Sequence, residues 1–337
     1  MKPIETTLDE RVLSLMQAAK VPGVSLSVVR KGAVEVAAGG VKDAAGSDAV
    51  NTRTVFDVAS LSKPMVAYAV LQLVDAGVLD LDAPLSGFAP AIVPDDASAA
   101  AITARHVLTH TSGLPNLRGQ DPLRMYFRPG AWFSYSSVGF GYLQSALESI
   151  TGEPLEKTMR RLVFEPLGMR SSSFEWQAHF GDNCAGPHEG MERLGKHHPP
   201  KAQASYSLQT TAFDYGIFAR AVLQGDRLKE ATCREWLTPA ASVPRGAAEY
   251  LGSRPAATED GIGWGLGWGI EVERGTFFQW GKMSGIRAFV MGSQAEQLAV
   301  VLLTNSNTGL RLMDEVARSV LPGEHPAIRW LQACVWE

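Results

Sequence analysis

Strand-forming segments sit at the two ends of this chain and are missing from its middle, and that distribution limits the fold more than any single motif does. Near the start, Gly23 to Val29 (GVSLSVV) and Ala33 to Ala38 (AVEVAA) flank Arg30-Lys31-Gly32, which signals a hairpin. Near the end, Gly263 to Ile270, Thr276 to Trp280, Ala288 to Met291 and Leu298 to Thr304 are β-rich runs, and a helix follows from about Leu310 to Val320. Between about Leu81 and Ala204 the signals are helical, at Thr103 to Thr109, Val138 to Thr151 and Leu155 to Phe164, with Pro- and Gly-containing connections. The apolar stretch from Leu61 to Ala76 stops at Gly77 and reads as a buried helix entered from Val55 to Ala59. Met1 to Lys20 reads as an amphipathic helix. The expected fold is therefore α+β: an antiparallel sheet flanked by helices, built from residues 1–60 and 205–337, with a mainly helical subdomain, 61–204, inserted between them. A cleft between two such halves is a favoured place for a binding site.

Composition narrows the function. At 337 residues, 45% hydrophobic and 20% charged, the chain can bury a large core. Its 31 basic and 35 acidic residues give a net charge of −4 with no Lys/Arg run, which argues against a nucleic-acid partner. Cys184, Cys233 and Cys334 are odd in number and far apart, so they read as reduced thiols, neither a disulfide framework nor a metal clip. Glu5, Asp9, Glu10 and Arg11 interrupt any apolar leader, and no stretch reaches the roughly 20 apolar residues a membrane span needs. The expectation is a cytoplasmic protein without a membrane partner. The oligomeric state is left open.

The sharpest local pattern is Ser60-Leu61-Ser62-Lys63. If a helix begins near Ser60, the hydroxyl and the amine lie three apart on one face, and Pro64 suits a first helical turn. The positive end of the helix favours an alkoxide and depresses the pKa of a nearby ammonium, so a desolvated Lys63 can take the serine proton. A match of this form also arises about once by chance in a chain with this many serines and lysines, and an N-capping serine beside a surface lysine would look the same.

Further segments separate the two. Tyr135-Ser136-Ser137, between Arg128-Pro129-Gly130 and the helical run at Val138, resembles the Y-x-N element of class C β-lactamases, DD-peptidases and related esterases. Arg105 to Leu114 (RHVLTHTSGL), Phe164 to Met169 (FEPLGM) and Ser205 to Phe218 (SYSLQTTAFDYGIF) resemble landmarks of the same serine β-lactamase-like, penicillin-recognising family. Gln279-Trp280-Gly281, with Gly285 beyond, resembles its K-T-G or H-x-G strand. These elements follow one another in the family's order from Val21-Pro22-Gly23 to Thr304-Asn305-Ser306. The resemblance implies a nucleophile at Ser60, proton handling by Lys63 and Tyr135, and an oxyanion hole formed by the backbone N–H groups of Ser60 and Lys282. It implies substrate contacts at Ser137, Gln279, Trp280 and Gly281, and it brings His188 toward the cleft.

Two departures bear on the substrate. Ser137 stands where the family has Asn, and Gln279 stands where it has Lys or His; a neutral amide supplies no charge. Matching Trp280-Gly281-Lys282 to the tryptophan-glycine motif of β-lactamase-like carboxylesterases also loses the cation. A β-lactam carboxylate would then be held differently, by Lys282 or Arg287, unless these are solvated charges at a strand end.

Other candidates are weaker. His106 and His110 are four apart, a spacing that can hold a metal, but no H-E-x-x-H pattern accompanies them and a hydrogen-bonded structural role suits His110 better. His197-His198 reads as a solvated loop. Gly261 to Gly269 fits no dinucleotide fingerprint, and the G-x-S-x-G elbow of α/β-hydrolases is absent. The expected function is hydrolysis of an ester or amide bond in a small molecule through a Ser60 acyl-enzyme, with no metal or organic cofactor. Alternatives are a transacylase passing the acyl group to an amine or alcohol, a β-lactamase or DD-peptidase, and a non-catalytic binding relative.

Overall fold

The computed structural model describes residues 3–335. Along the chain, β1 (Ile4–Glu5) and α1 (Glu10–Ala18) lead to β2 (Gly23–Arg30) and β3 (Ala33–Gly40). β4 (Phe56–Asp57) precedes a 3-10 turn at Ala59–Leu61 and α2 (Ser62–Asp75). The middle carries α3 (Ala104–Leu108), α4 (Ser137–Thr151), α5 (Leu155–Met159), α6 (Glu165–Leu167), β5 (His188–Glu189), β6 (Glu192–Arg193) and β7 (Gln209–Thr210). α7 (Ala212–Gln224), α8 (Glu230–Trp236), β8 (Ala241–Pro244), β9 (Thr258–Trp264) and β10 (Gly269–Glu271) follow. β11 (Thr276–Met283), β12 (Ile286–Ser293), β13 (Leu298–Thr304), α9 (Met313–Val320) and α10 (Pro326–Cys334) complete it.

Three segments depart from the sequence expectation. The first helix begins only at Glu10, because the Asp9 side chain accepts from the Arg11 N–H and caps it there. Ile4–Glu5 instead pairs in parallel with Glu35–Val36, and Met1 and Lys2 lie outside the described residues. The run Gly263 to Ile270 is two antiparallel strands, not one: Gly267 takes φ +94° and donates its N–H to Leu108 O, so the chain reverses between Trp264 and Gly269. Helix α10 gave no signal in the sequence reading.

The chain forms two compact units. The first comprises the described residues up to Ser62 with 159–226 and 278–324. Its sheet run has the order β1-β3-β2-β13-β12-β11, with β2 pairing antiparallel to both β3 and β13. Nearly every position on β2, β12 and β13 is buried, as two covered faces require. Helix α7 crosses one face closely: a Cβ at Gly216 would lie 2.6 Å from Ser27 Oγ, so only glycine lets the helix approach. On the opposite face Gly309 presses on Thr304, where α9 begins to pack.

The N-terminus of α7 holds a buried carboxylate. Thr211 caps the helix by accepting from the Asp214 N–H, and Asp214 Oδ2 accepts from Ser171 N–H (2.7 Å) and Ser172 Oγ (2.9 Å). Burial outweighs these bonds and pushes the Asp214 pKa up from 3.8 to about 6. A raised carboxyl pKa means the folded state holds the proton more tightly than the unfolded one. Its stabilising effect is present below pH 3.8 and is lost as pH rises through about 6. Asp214→Asn keeps an acceptor oxygen without the charge. It is expected to exceed wild type in stability at pH 7 by no more than about 3 kcal/mol, less the ~0.5 kcal/mol lost at the helix dipole, with the gap closing in acid. Urea melts of both proteins between pH 4 and 8 check this.

The second unit comprises 63–158, 227–277 and the described residues from His325. Helix α2 is apolar all round and buried over Met65–Leu71. Tyr68 stacks on Trp236 at 5.3 Å, and Trp236, Trp268 and Phe277 continue the aromatic core. Glu271 on β10 is buried, pairs with His325 Nδ1 at 3.0 Å and accepts from Ala327 N–H, fixing the start of α10. Among the described residues no helix is long and apolar enough to cross a membrane.

Candidate active site

Ser60 is the half-buried middle residue of the 3-10 turn that runs directly into α2. The turn is held from several sides. Ala59, just before Ser60, takes φ +47°, a left-handed conformation that costs a non-glycine residue energy and persists only under constraint. Ser62 Oγ supplies part of that constraint, donating to Ala59 O at 2.7 Å and accepting from Leu208 N–H at 3.1 Å. Tyr215 donates its hydroxyl to Leu61 O at 2.9 Å, and Gln279 Nε2 donates to Ser60 O at 3.3 Å. A Cβ at Gly281 would lie 2.2 Å from Val58 O, so glycine alone allows β11 to lie against the segment that carries Ser60. Gln279 thus acts on the main chain of Ser60, where an amide serves as well as a cation. Trp280 is buried, and Lys282 is exposed.

In the second unit Lys63 is fully buried, against the expectation for a surface lysine. Burial drives its pKa well below the usual 10.5. Its Nζ lies 3.1 Å from Ser137 Oγ, 4.7 Å from the centre of the Tyr135 ring and 5.5 Å from that of Phe140. Ser137 Oγ donates in turn to Asn116 Oδ1 at 2.9 Å, which makes a relay of amine, hydroxyl and amide carbonyl. Ser136 caps α4, accepting from Gly139 N–H and donating to Pro115 O. The cap fixes Tyr135 and Ser137 on either side of it.

His110 shapes the same pocket. Its ring stacks on Tyr135 at 4.1 Å and abuts Phe133, Phe140 and Trp264. Nδ1 accepts from Ser136 N–H at 3.0 Å. Burial, reinforced by the nearby Lys63 amine, holds its pKa well below 6.5, so the imidazole is neutral. His106 belongs to the capping box of α3 with Thr103.

The structure thus brings together Lys63, Tyr135 and Ser137 in one unit, and Ser60, Gln279 and Gly281 in the other. His188 has a different place from the one the resemblance implied. It is buried, its Nε2 accepts from Ala44 N–H at 3.1 Å, and its Nδ1 faces Asn305 O at 3.0 Å. Both ring nitrogens are engaged by backbone, which leaves neither for a substrate. The sequence reading missed Asn116, which stands two residues beyond the RHVLTHTSGL landmark, because nothing local marks it as the partner of Ser137.

The sequence model of the Beta-lactamase family matches residues 8–323. "Penicillin-binding protein 4" of Amycolatopsis lactamdurans is 28% identical over 355 residues, covering 95% of this chain and 90% of that protein. "Esterase EstB" of Burkholderia gladioli is 34% identical over 166 residues, 40% of this chain and 42% of the esterase. Among solved structures, a class C beta-lactamase superposes with a TM-score of 0.76 at 21% identity, covering 94% of this chain and 96% of that one.

Proposed function

Since this chain belongs to the beta-lactamase family, we propose that it is a serine hydrolase that cleaves an ester or amide of a small molecule through an acyl-enzyme on Ser60. The observation that carries this reading is the complete burial of Lys63, three residues after Ser60, against Ser137 Oγ and the Tyr135 ring. Burial holds its pKa well below the ordinary 10.5, which favours the neutral amine that acts as a base.

The steps follow. Lys63 takes the Ser60 proton while Oγ attacks the substrate carbonyl carbon, and the carbonyl π pair moves onto oxygen. The backbone N–H groups of Ser60 and Lys282 hold that oxyanion. On collapse the leaving group departs with a proton delivered through Tyr135 and Lys63, leaving an ester on Ser60. Water repeats the sequence and releases the acid. Ser137 and Asn116 hold Lys63 in position, and Gln279 fixes the Ser60 main chain, with Trp280 and Gly281 lining the strand beside it. The neutral Gln279 favours an esterase or amidase over a β-lactamase, as does the similarity to an esterase.

Treatment with a fluorophosphonate, followed by intact mass and peptide mapping, tests the reading. One adduct on the peptide containing Ser60, together with turnover of p-nitrophenyl esters, is expected. Label elsewhere, or none with no turnover, refutes it.

A further inference from the structure

Helix α3 is capped by Thr109 and stops at His110. The stop is a pair of hydrogen bonds, from His110 N–H to Val107 O at 3.1 Å and from Thr111 N–H to His106 O at 2.8 Å. To make it, His110 takes φ +55°, a left-handed conformation that glycine or asparagine adopts with less strain. Burial adds a second cost: the side chain is fully enclosed, and Nε2 has no hydrogen-bond partner among the described residues. Ending a helix explains neither cost.

Both costs are incurred at a residue that grips the segment carrying Tyr135. The His110 carbonyl accepts from Ser134 N–H at 2.8 Å, and Nδ1 accepts from Ser136 N–H at 3.0 Å. Tyr135 lies between these two anchors, with its own N–H turned away to Ala248 O at 2.9 Å. The imidazole also covers the Tyr135 ring, the centroids 4.1 Å apart and the planes 30° apart. One residue thus fixes the backbone on both sides of Tyr135 and a face of its side chain, beside the Lys63 amine that lies 4.7 Å from the ring centre. Because Nδ1 accepts, the grip needs the neutral imidazole with its hydrogen on Nε2.

We propose that His110 is a positioning residue for the reaction: it clamps Tyr135 so that the phenol can deliver its proton to the leaving group. The catalytic consequence rests on the serine-hydrolase reading; the clamp itself does not. Misplacing a positioned group by about 1 Å costs on the order of 10²-fold. That loss falls only on a leaving group that needs the proton.

The test compares kcat/KM for ethyl butyrate with that for p-nitrophenyl butyrate. Both deliver the same acyl group, but p-nitrophenolate departs without a proton and ethoxide does not. His110→Phe keeps an aromatic ring and loses the acceptor, and it is expected to lower the ethyl to p-nitrophenyl ratio about 10²-fold, chiefly through kcat. His110→Asn suits the left-handed backbone and offers a carbonyl to Ser136 N–H, so its ratio should stay within about tenfold of wild type. In a Tyr135→Phe background the ratio is already low, and His110→Phe should leave it unchanged, since the effect passes through the phenol. An equal fall for both esters, or a loss of ratio that persists undiminished in Tyr135→Phe, overturns the proposal and leaves His110 as a helix stop. If His110→Phe does not fold, His110→Gly takes its place and is read in the same way; it relieves the backbone strain while removing ring and acceptor together. Should wild type turn over neither ester, the hydrolase reading fails, and crystal structures of wild type and His110→Gly decide the clamp. Tyr135 displaced in the variant supports it, and Tyr135 unmoved refutes it.

Discussion

Ser60→Ala is expected to lower ester turnover by about 10⁴-fold or more and to abolish fluorophosphonate labelling, because loss of a nucleophile removes the covalent path and leaves only binding and oxyanion stabilisation. Ser62→Ala is the informative companion. Ser62 lies two residues on, and its hydroxyl is committed to Ala59 O and Leu208 N–H. Its loss leaves a buried N–H without a partner, at about 1–3 kcal/mol of stability, while the nucleophile stays in place. The expected pattern is a stable, unlabelled Ser60→Ala protein and a less stable Ser62→Ala protein that still labels. Intact mass with and without the probe, alongside thermal melts, reads both. The reverse pattern would move the nucleophile to Ser62.

Much of the fold is legible in the sequence where local and global preferences agree. The strand pair around Lys31-Gly32 and the runs of β12 and β13 appear where β-branched residues alternate between clear turn signals, and the expected α+β architecture is that of the beta-lactamase family. Legibility fails where a residue's state is set from far along the chain. Gly263 to Ile270 looks like one strand until Gly267 N–H is seen to bond Leu108 O. β1 exists only because β3 offers a free edge to Ile4–Glu5.

The site divides along the same line. Residue types and order point to Ser60, Lys63 and Tyr135, but three-residue spacing carries nothing about burial, and burial separates a base from a surface lysine. The departures from the family pattern find physical answers only in three dimensions. Ser137 does not reach as far as the family's Asn, yet Asn116 accepts from its hydroxyl and restores an amide one step further out. Gln279 replaces a cation, yet what it bonds is the Ser60 carbonyl. His188 looks poised for a substrate in sequence, whereas its ring ties the turn at Ala44 to Asn305.

Lys63→Met should separate chemistry from stability most cleanly. Methionine matches much of the lysine stem, and the pocket beside Tyr135 and Phe140 is largely aromatic. Activity is expected to fall by about 10²–10⁴-fold, the usual contribution of a positioned base, through kcat for acylation. Stability should move the other way. Because burial lowers the Lys63 pKa in the folded state, the unfolded chain binds this proton more tightly. The resulting penalty on folding is full below the folded-state pKa and disappears as pH rises past the ordinary 10.5. Lys63→Met lacks that penalty, so it should be at least as stable as wild type at neutral pH, with its advantage shrinking in alkali. The same proton governs catalysis, so kcat/KM of wild type should rise with pH along a limb whose midpoint lies below 10.5, a limb absent from the residual activity of Lys63→Met. Urea melts and pH–rate profiles of both proteins provide the check. A variant that loses activity and stability together, with an unchanged pH limb, would make Lys63 a structural residue and take the base away from Ser60.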